Sequence, residues 1–133
     1  MILIDTHVLI WLDEGNAKLG QESRTSIDQA LQEGELAIAA ISFWEVAMLV
    51  QKQRVEIKMD LGAWRRNLLE QGLLEISLHG GIALRAGSLQ DFHGDPADRM
   101  IVATALEISA TLVTADERIL SWSGSLLRRD ARG

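Results

Sequence analysis

Short, nearly continuous apolar runs alternate along this chain with segments whose apolar residues recur at helical spacing. Residues 1–4 (MILI), 35–42 (ELAIAAIS), 73–78 (LLEISL) and 110–115 (ATLVTA) predict buried strands. VLIWLD opens a helix directly after the first strand. RTSIDQALQEG aligns Ile27, Ala30 and Leu31 and closes on Gly34, and FWEVAMLVQKQ follows the second strand. LGAWRRNLLEQG (61–72) again ends on glycine, GIALRAGSL reads as a short helix, and PADRMIVATALEIS (96–109) reads as a long one. Strands separated by helices, and apolar on both faces, predict an α/β three-layer sandwich: a central, mainly parallel sheet flanked by helices on right-handed crossovers. No repeat, low-complexity tract or Pro/Ser-rich linker interrupts the pattern, so residues 1–133 are expected to form a single domain.

Composition narrows the chemistry. The chain has no cysteine, which excludes disulfides, zinc-thiolate sites and a thiol nucleophile and is compatible with a reducing cytoplasm. The first apolar stretch lacks a basic flank and is broken by Asp5, Thr6 and His7, so neither a signal peptide nor a membrane span is expected. A formal charge of −6 argues against a protein that coats nucleic acid by charge alone. The arginine-rich terminal stretch LLRRDARG reads as a frayed, solvated end.

In a parallel sheet, ligands bind beyond the carboxyl ends of the strands, and there the chain is regularly acidic. Asp5 follows the first strand and Asp116 the fourth; Glu45 opens the helix after the second, and Asp95 and Asp98 open the helix leading into the fourth. Each has a plain alternative. Ser42 and Glu45 form an S-x-x-E capping box, Asp95 is an N-cap before Pro96, Asp98 suits the helix dipole, and Asp116 caps ERIL. Side-chain facing weighs against the plain reading. Asp98 shares a stripe with Ile101, Val102 and Ala105, and Glu45 shares one with Met48 and Leu49. Carboxylates directed at a core need a cation, and the only lysines, Lys18, Lys52 and Lys58, do not sit at strand ends. A divalent ion held by oxygen ligands, Mg²⁺ or Mn²⁺, resolves the conflict.

The segments ILIDTHVLIW, ISFWEV, GDPADRMIVATA and LVTADERI, in this order, resemble the PIN-domain ribonucleases of the VapC type, toxins of prokaryotic toxin–antitoxin pairs. The resemblance runs from about residue 2 to 120. It implies catalytic and metal-binding acids at Asp5, Glu45, Asp98 and Asp116, with Asp95, Thr114 and Ser42 as accessory residues. It further implies a Mg²⁺- or Mn²⁺-dependent endoribonuclease acting on structured RNA such as tRNA, silenced by a small cognate antitoxin and forming a homodimer in the cytoplasm, with no membrane partner.

Other residues carry less. His7 and His93 flank the acids without matching a catalytic position of the family, and His79 is more remote. Trp11, Trp44 and Trp64 read as core or interface residues, Arg99 as a brace for an acid or for RNA phosphate, and Arg65 and Arg66 as a solvated face. Thr114 reads equally as a carboxylate partner and as an ordinary strand residue. Rival readings are a small-molecule phosphohydrolase and a non-catalytic binding module. A haloacid-dehalogenase-like phosphatase, however, needs a second aspartate where His7 stands, and a receiver domain needs a lysine after a late strand.

Overall fold

The computed structural model describes residues 1–133. In chain order the elements are β1 (Ile2–Ile4), α1 (Thr6–Glu14), α2 (Gln21–Gln32), β2 (Leu36–Ala39), α3 (Ala40–Gln51) and α4 (Leu61–Glu70). They continue with β3 (Leu74–Ile76), α5 (Gly80–Gly87), α6 (Pro96–Glu107), β4 (Thr111–Thr114), α7 (Glu117–Leu120) and β5 (Arg128–Asp130). The five strands form one wholly parallel sheet in the order β3-β2-β1-β4-β5. The α/β sandwich with a parallel central sheet is therefore the observed architecture.

The pleat explains the layers, because successive side chains of a strand point to opposite faces. Ile4, Leu36, Ile38 and Val113 join Val8, Leu9, Ile27, Val46 and Trp64 on one face; their neighbours Leu3, Ala37, Ala39 and Leu112 join Ile101, Val102, Ala105 and Ile119 on the other. Helices thus cover both faces, and the strands carry apolar residues on both.

Two expectations need correction. The second strand ends at Ala39, and the helix begins at Ala40 rather than Phe43; a short apolar run rich in alanine satisfies either periodicity, and pairing with β1 stops at Ile4↔Ile38. The arginine-rich tail is no frayed end. It supplies β5, with Leu112↔Arg128, Val113↔Arg129 and Thr114↔Asp130 in register. Ala131 is fully buried, and the Arg128 guanidinium donates to the carbonyls of Ile119 (2.7 Å) and Gly124 (2.8 Å). Backbone groups of β4 pair with any extended segment, and a charged strand is suited to a sheet edge.

The strand order places the chemistry. From central β1 the chain moves outward through β2 to β3, then returns to the other side of β1 as β4. The carboxyl ends of β1 and β4, whose connections leave in opposite directions, therefore border the crevice where such sheets take ligands.

Candidate functional site

Asp5 and Asp116 stand at that crevice as the residues just past Ile4 and Ala115. Asp5 caps α1 and is 3% exposed: Oδ1 accepts the Thr6 N–H at 2.8 Å, and Oδ2 accepts the Thr114 hydroxyl at 2.8 Å. Thr114 is thus a carboxylate partner reaching across from β4, and its Oγ1 also accepts the Asp116 N–H at 3.0 Å. Asp116 caps α7 by accepting the Arg118 N–H at 2.8 Å. Asp98 lies in the first turn of α6, and its stripe partners Ile101, Val102 and Ala105 are fully buried, so it is drawn against the core as their spacing predicts.

Glu45 is held differently from its capping-box expectation. Ser42 sits inside α3, whose N-cap is Ala39 with no side-chain cap. Buried Ser42 Oγ lies 2.8 Å from Thr6 Oγ1, and Thr6 Oγ1 in turn bonds Glu45 Oε1. A threonine hydroxyl has one proton; directed to the carboxylate, it leaves Thr6 to accept from Ser42. The result is a Ser42–Thr6–Glu45 relay that orients the carboxylate and leaves Oε2 free.

The electrostatics couple the acids. Burial pushes Asp5 up to about 6 despite the Thr114 and Thr6 hydrogen bonds, with Asp98 and Asp116 adding to the rise. Burial likewise carries Glu45 to about 7, opposed by the Thr6 bond and reinforced by Asp5, Asp98 and Asp95. Asp98 is also raised by burial, against its bond to His93. In Asp116 burial acts upward but is outweighed by Arg118, whose bonds and charge hold the carboxyl below its usual range. The fold thus couples the acids through Asp98: Asp5 feels Asp98 and Asp116, Glu45 feels Asp5, Asp98 and Asp95, and Asp98 feels Asp95 and Asp116.

Three further residues complete the site. His93 Nε2 lies 2.8 Å from Asp98 Oδ2, and ligand atoms of His93, Asp98 and Asp116 all fall within 4.8 Å of one another. Asp5 and Glu45 lie outside this tightest trio but share its field. Arg118 reaches both Asp98 and Asp116, so a cation does stand at a strand end, although no lysine does; the D-x-R spacing in TADER is the sequence signal for it. His7 accepts the Ala115 N–H on Nε2 at 2.9 Å, which assigns its proton to Nδ1, 3.7 Å from Asp5 Oδ2. Burial lowers its pKa, consistent with a neutral ring.

Arg99 braces backbone rather than an acid. It donates to the carbonyls of Ala86, Phe92, His93 and Leu89 at 2.9–3.1 Å, tying down the loop that presents His93. His79 caps α5, and Arg65 is not simply solvated but forks onto Glu75 at 2.7 and 2.9 Å. Trp64 is buried, Trp11 half-buried and Trp44 exposed.

Asp95 is the N-cap of α6, its Oδ1 accepting the Asp98 N–H at 3.0 Å beside Pro96. Asparagine caps as well as aspartate, so Asp95→Asn is expected to change stability by no more than about 0.5 kcal/mol. Thermal melts of the two proteins check this; a larger loss would mean that the charge of Asp95, and not only its cap, holds α6.

The PIN domain family model matches residues 2–122. Ribonuclease VapC22 of Mycobacterium tuberculosis is 36% identical over 121 residues, covering 90% of each chain. Among solved structures, a toxin–antitoxin complex from Klebsiella pneumoniae superposes with a TM-score of 0.64 at 22% identity, covering 98% of each chain. VapBC2 from Rickettsia felis, bound to a DNA fragment from its promoter, superposes with a TM-score of 0.69 at 17% identity, over 97% of this chain and 98% of that one.

Proposed function

Because the chain belongs to the PIN-domain family, we propose that it is a divalent-metal-dependent endoribonuclease, the toxin of a toxin–antitoxin pair, with Asp5, Glu45, Asp98 and Asp116 as its reacting acids. The observation that carries this reading is the convergence of those acids at the β1–β4 crevice, where burial and neighbouring carboxylates make the charged forms of Asp5, Glu45 and Asp98 costly and Asp116 is kept ionised by Arg118.

The donor set fits a hard cation. Asp5, Asp98 and Asp116 offer carboxylate oxygens, with Glu45 beside them and His93 Nε2 within reach of Asp98 and Asp116. They would hold Mg²⁺ or Mn²⁺, which when bound polarises a phosphodiester and lowers the pKa of attacking water. The chain's own residues do the rest. Thr114 and the Thr6 N–H fix Asp5, occupying one lone pair on each of its oxygens. The Ser42–Thr6 relay fixes Glu45 and leaves its Oε2 as an acceptor for a proton. Uncompensated, the acids repel an RNA phosphate, so neutralisation of the site is a condition for substrate approach.

The expected partners are structured RNA such as tRNA, a small cognate antitoxin and a second copy of the chain, in the cytoplasm. The neighbouring toxin–antitoxin assemblies support the antitoxin. A cavity between α3 and α4, lined by Phe43, Val46, Leu61 and Trp64, suits an apolar helix face. No helix is long and apolar enough to cross a membrane.

The test is RNA cleavage by the purified protein with Mg²⁺ or Mn²⁺ and with chelator. Cleavage is expected only with free metal, and overproduction is expected to arrest bacterial growth unless Asp5 is changed to asparagine. Undiminished cleavage in excess chelator, or arrest by Asp5→Asn at equal soluble level, would overturn the reading.

A further inference from the structure

The cation that meets the site's carboxylates belongs to the chain itself. Arg118 lies in the first turn of α7, two residues after Asp116. Its Nη2 is 3.3 Å from Asp98 Oδ2 and 3.2 Å from Asp116 Oδ2, and its Nε is 3.4 Å from Asp116 Oδ1. Those are two of the three groups that converge as ligands. A guanidinium and a divalent ion held on the same carboxylates repel each other, and arginine cannot yield by losing its proton. It can yield by moving: the side chain is 60% exposed, and every side-chain partner it has is one of these two acids.

Building on the metal-dependent nuclease reading, we propose that Arg118 exchanges partners: it neutralises Asp98 and Asp116 while the site is free of metal, is displaced when the ion binds, and then takes a phosphate of the RNA. The displaced guanidinium stays tethered to α7, one side-chain length from the carboxylates it left. Its planar fork matches a phosphate. The other arginines around the site are committed, Arg99 to backbone carbonyls and Arg132 to Asp130 and Glu117. In a chain of net charge −6, a cation released at the crevice is the available anchor for a polyanion. The exchange also orders events, metal first and RNA second.

The experiment is Mn²⁺ titration by calorimetry, with metal-free melting curves and RNA-cleavage kinetics, on the full chain and on Arg118→Gln, Arg118→Lys and Arg129→Gln. Arg129 pairs with Glu22 and controls for loss of one positive charge elsewhere. Arg118→Gln is expected to bind Mn²⁺ about three- to tenfold more tightly. It is expected to melt lower without metal and to raise KM for RNA about three- to tenfold, with kcat moved less. Arg118→Lys keeps the charge without the fork and should fall between, while Arg129→Gln should match the unaltered chain. Unchanged or weaker Mn²⁺ binding by Arg118→Gln would overturn the exchange, and an unchanged KM would overturn its phosphate half. If the unaltered chain binds no Mn²⁺, the metal-dependent reading itself falls, and the exchange with it.

Discussion

Asp98→Asn is expected to lower RNA cleavage by roughly a hundredfold or more, the scale of losing one preorganised charge-stabilising group, while the metal-free protein melts no lower than the parent. The side chain is 13% exposed, on a stripe whose other members are fully buried. Its ionised form is disfavoured in the fold, chiefly by burial and then by the charges of Asp95 and Asp116, even though His93 at 2.8 Å and Arg118 at 3.3 Å oppose this. A neutral asparagine removes that cost and keeps an oxygen for His93. A residue present only to favour the helix dipole behaves in the opposite way: its loss leaves activity intact and costs roughly 0.3–1 kcal/mol. Cleavage rate and metal-free melting temperature, measured together, separate the two. An active and slightly destabilised Asp98→Asn would reduce the carboxylate to a first-turn helix residue.

The metal-free protein is expected to be more stable at pH 5 than at pH 8, and added Mn²⁺ to abolish most of the difference. Asp5 moves from 3.8 to about 6 on folding and Glu45 from 4.5 to about 7, so between the unfolded and folded values the folded state binds more protons. Their stabilising contribution is complete below about pH 4 and lost as pH rises through about 6 to 7. For buried Asp5 alone the whole shift corresponds to about 3 kcal/mol; roughly half of it falls between pH 5 and pH 8, on the order of 5 °C in melting temperature. His7 works against the trend, because its pKa is depressed by burial and its contribution is lost as pH falls. Asp116, held down by Arg118, loses its contribution only in more acidic solution. Melting curves in chelator across pH 5–8, repeated with Mn²⁺ and with Asp5→Asn, give the measurement. A flat or rising metal-free profile would mean that the acids are not crowded as the structure has them, and Asp5→Asn should make it shallower, with the Glu45 part remaining, if they are.

Much of the site was legible because its signals are local. Four apolar runs gave four of the five strands, and an acid just beyond a strand end needs no tertiary information to be noticed. Caps were equally readable at Asp95 and Asp116, since a cap acts on N–H groups two or three residues away. Asp98 was distinguishable from Asp95 because helical spacing set it above Ile101, Val102 and Ala105, three residues that the fold does bury.

What escaped the sequence has no local signature. The S-x-x-E pattern at Ser42 and Glu45 matches a capping box, yet both side chains turn to Thr6, some forty positions earlier in the chain. The bond from Thr114 to Asp5 spans 109 positions and exists because β4 lies beside β1 in parallel register. Arg118 and His93 become partners of Asp98 only once α7 and the loop tied by Arg99 reach the same crevice. β5 is invisible to periodicity because backbone pairing at an edge places little demand on side chains. Hydrophobic spacing and capping chemistry, acting within a turn or two, determined the elements and nominated the acids. Strand order and register, which compare backbone partners a hundred residues apart, decided which acids meet, which hydroxyls orient them and which cation of the chain stands among them.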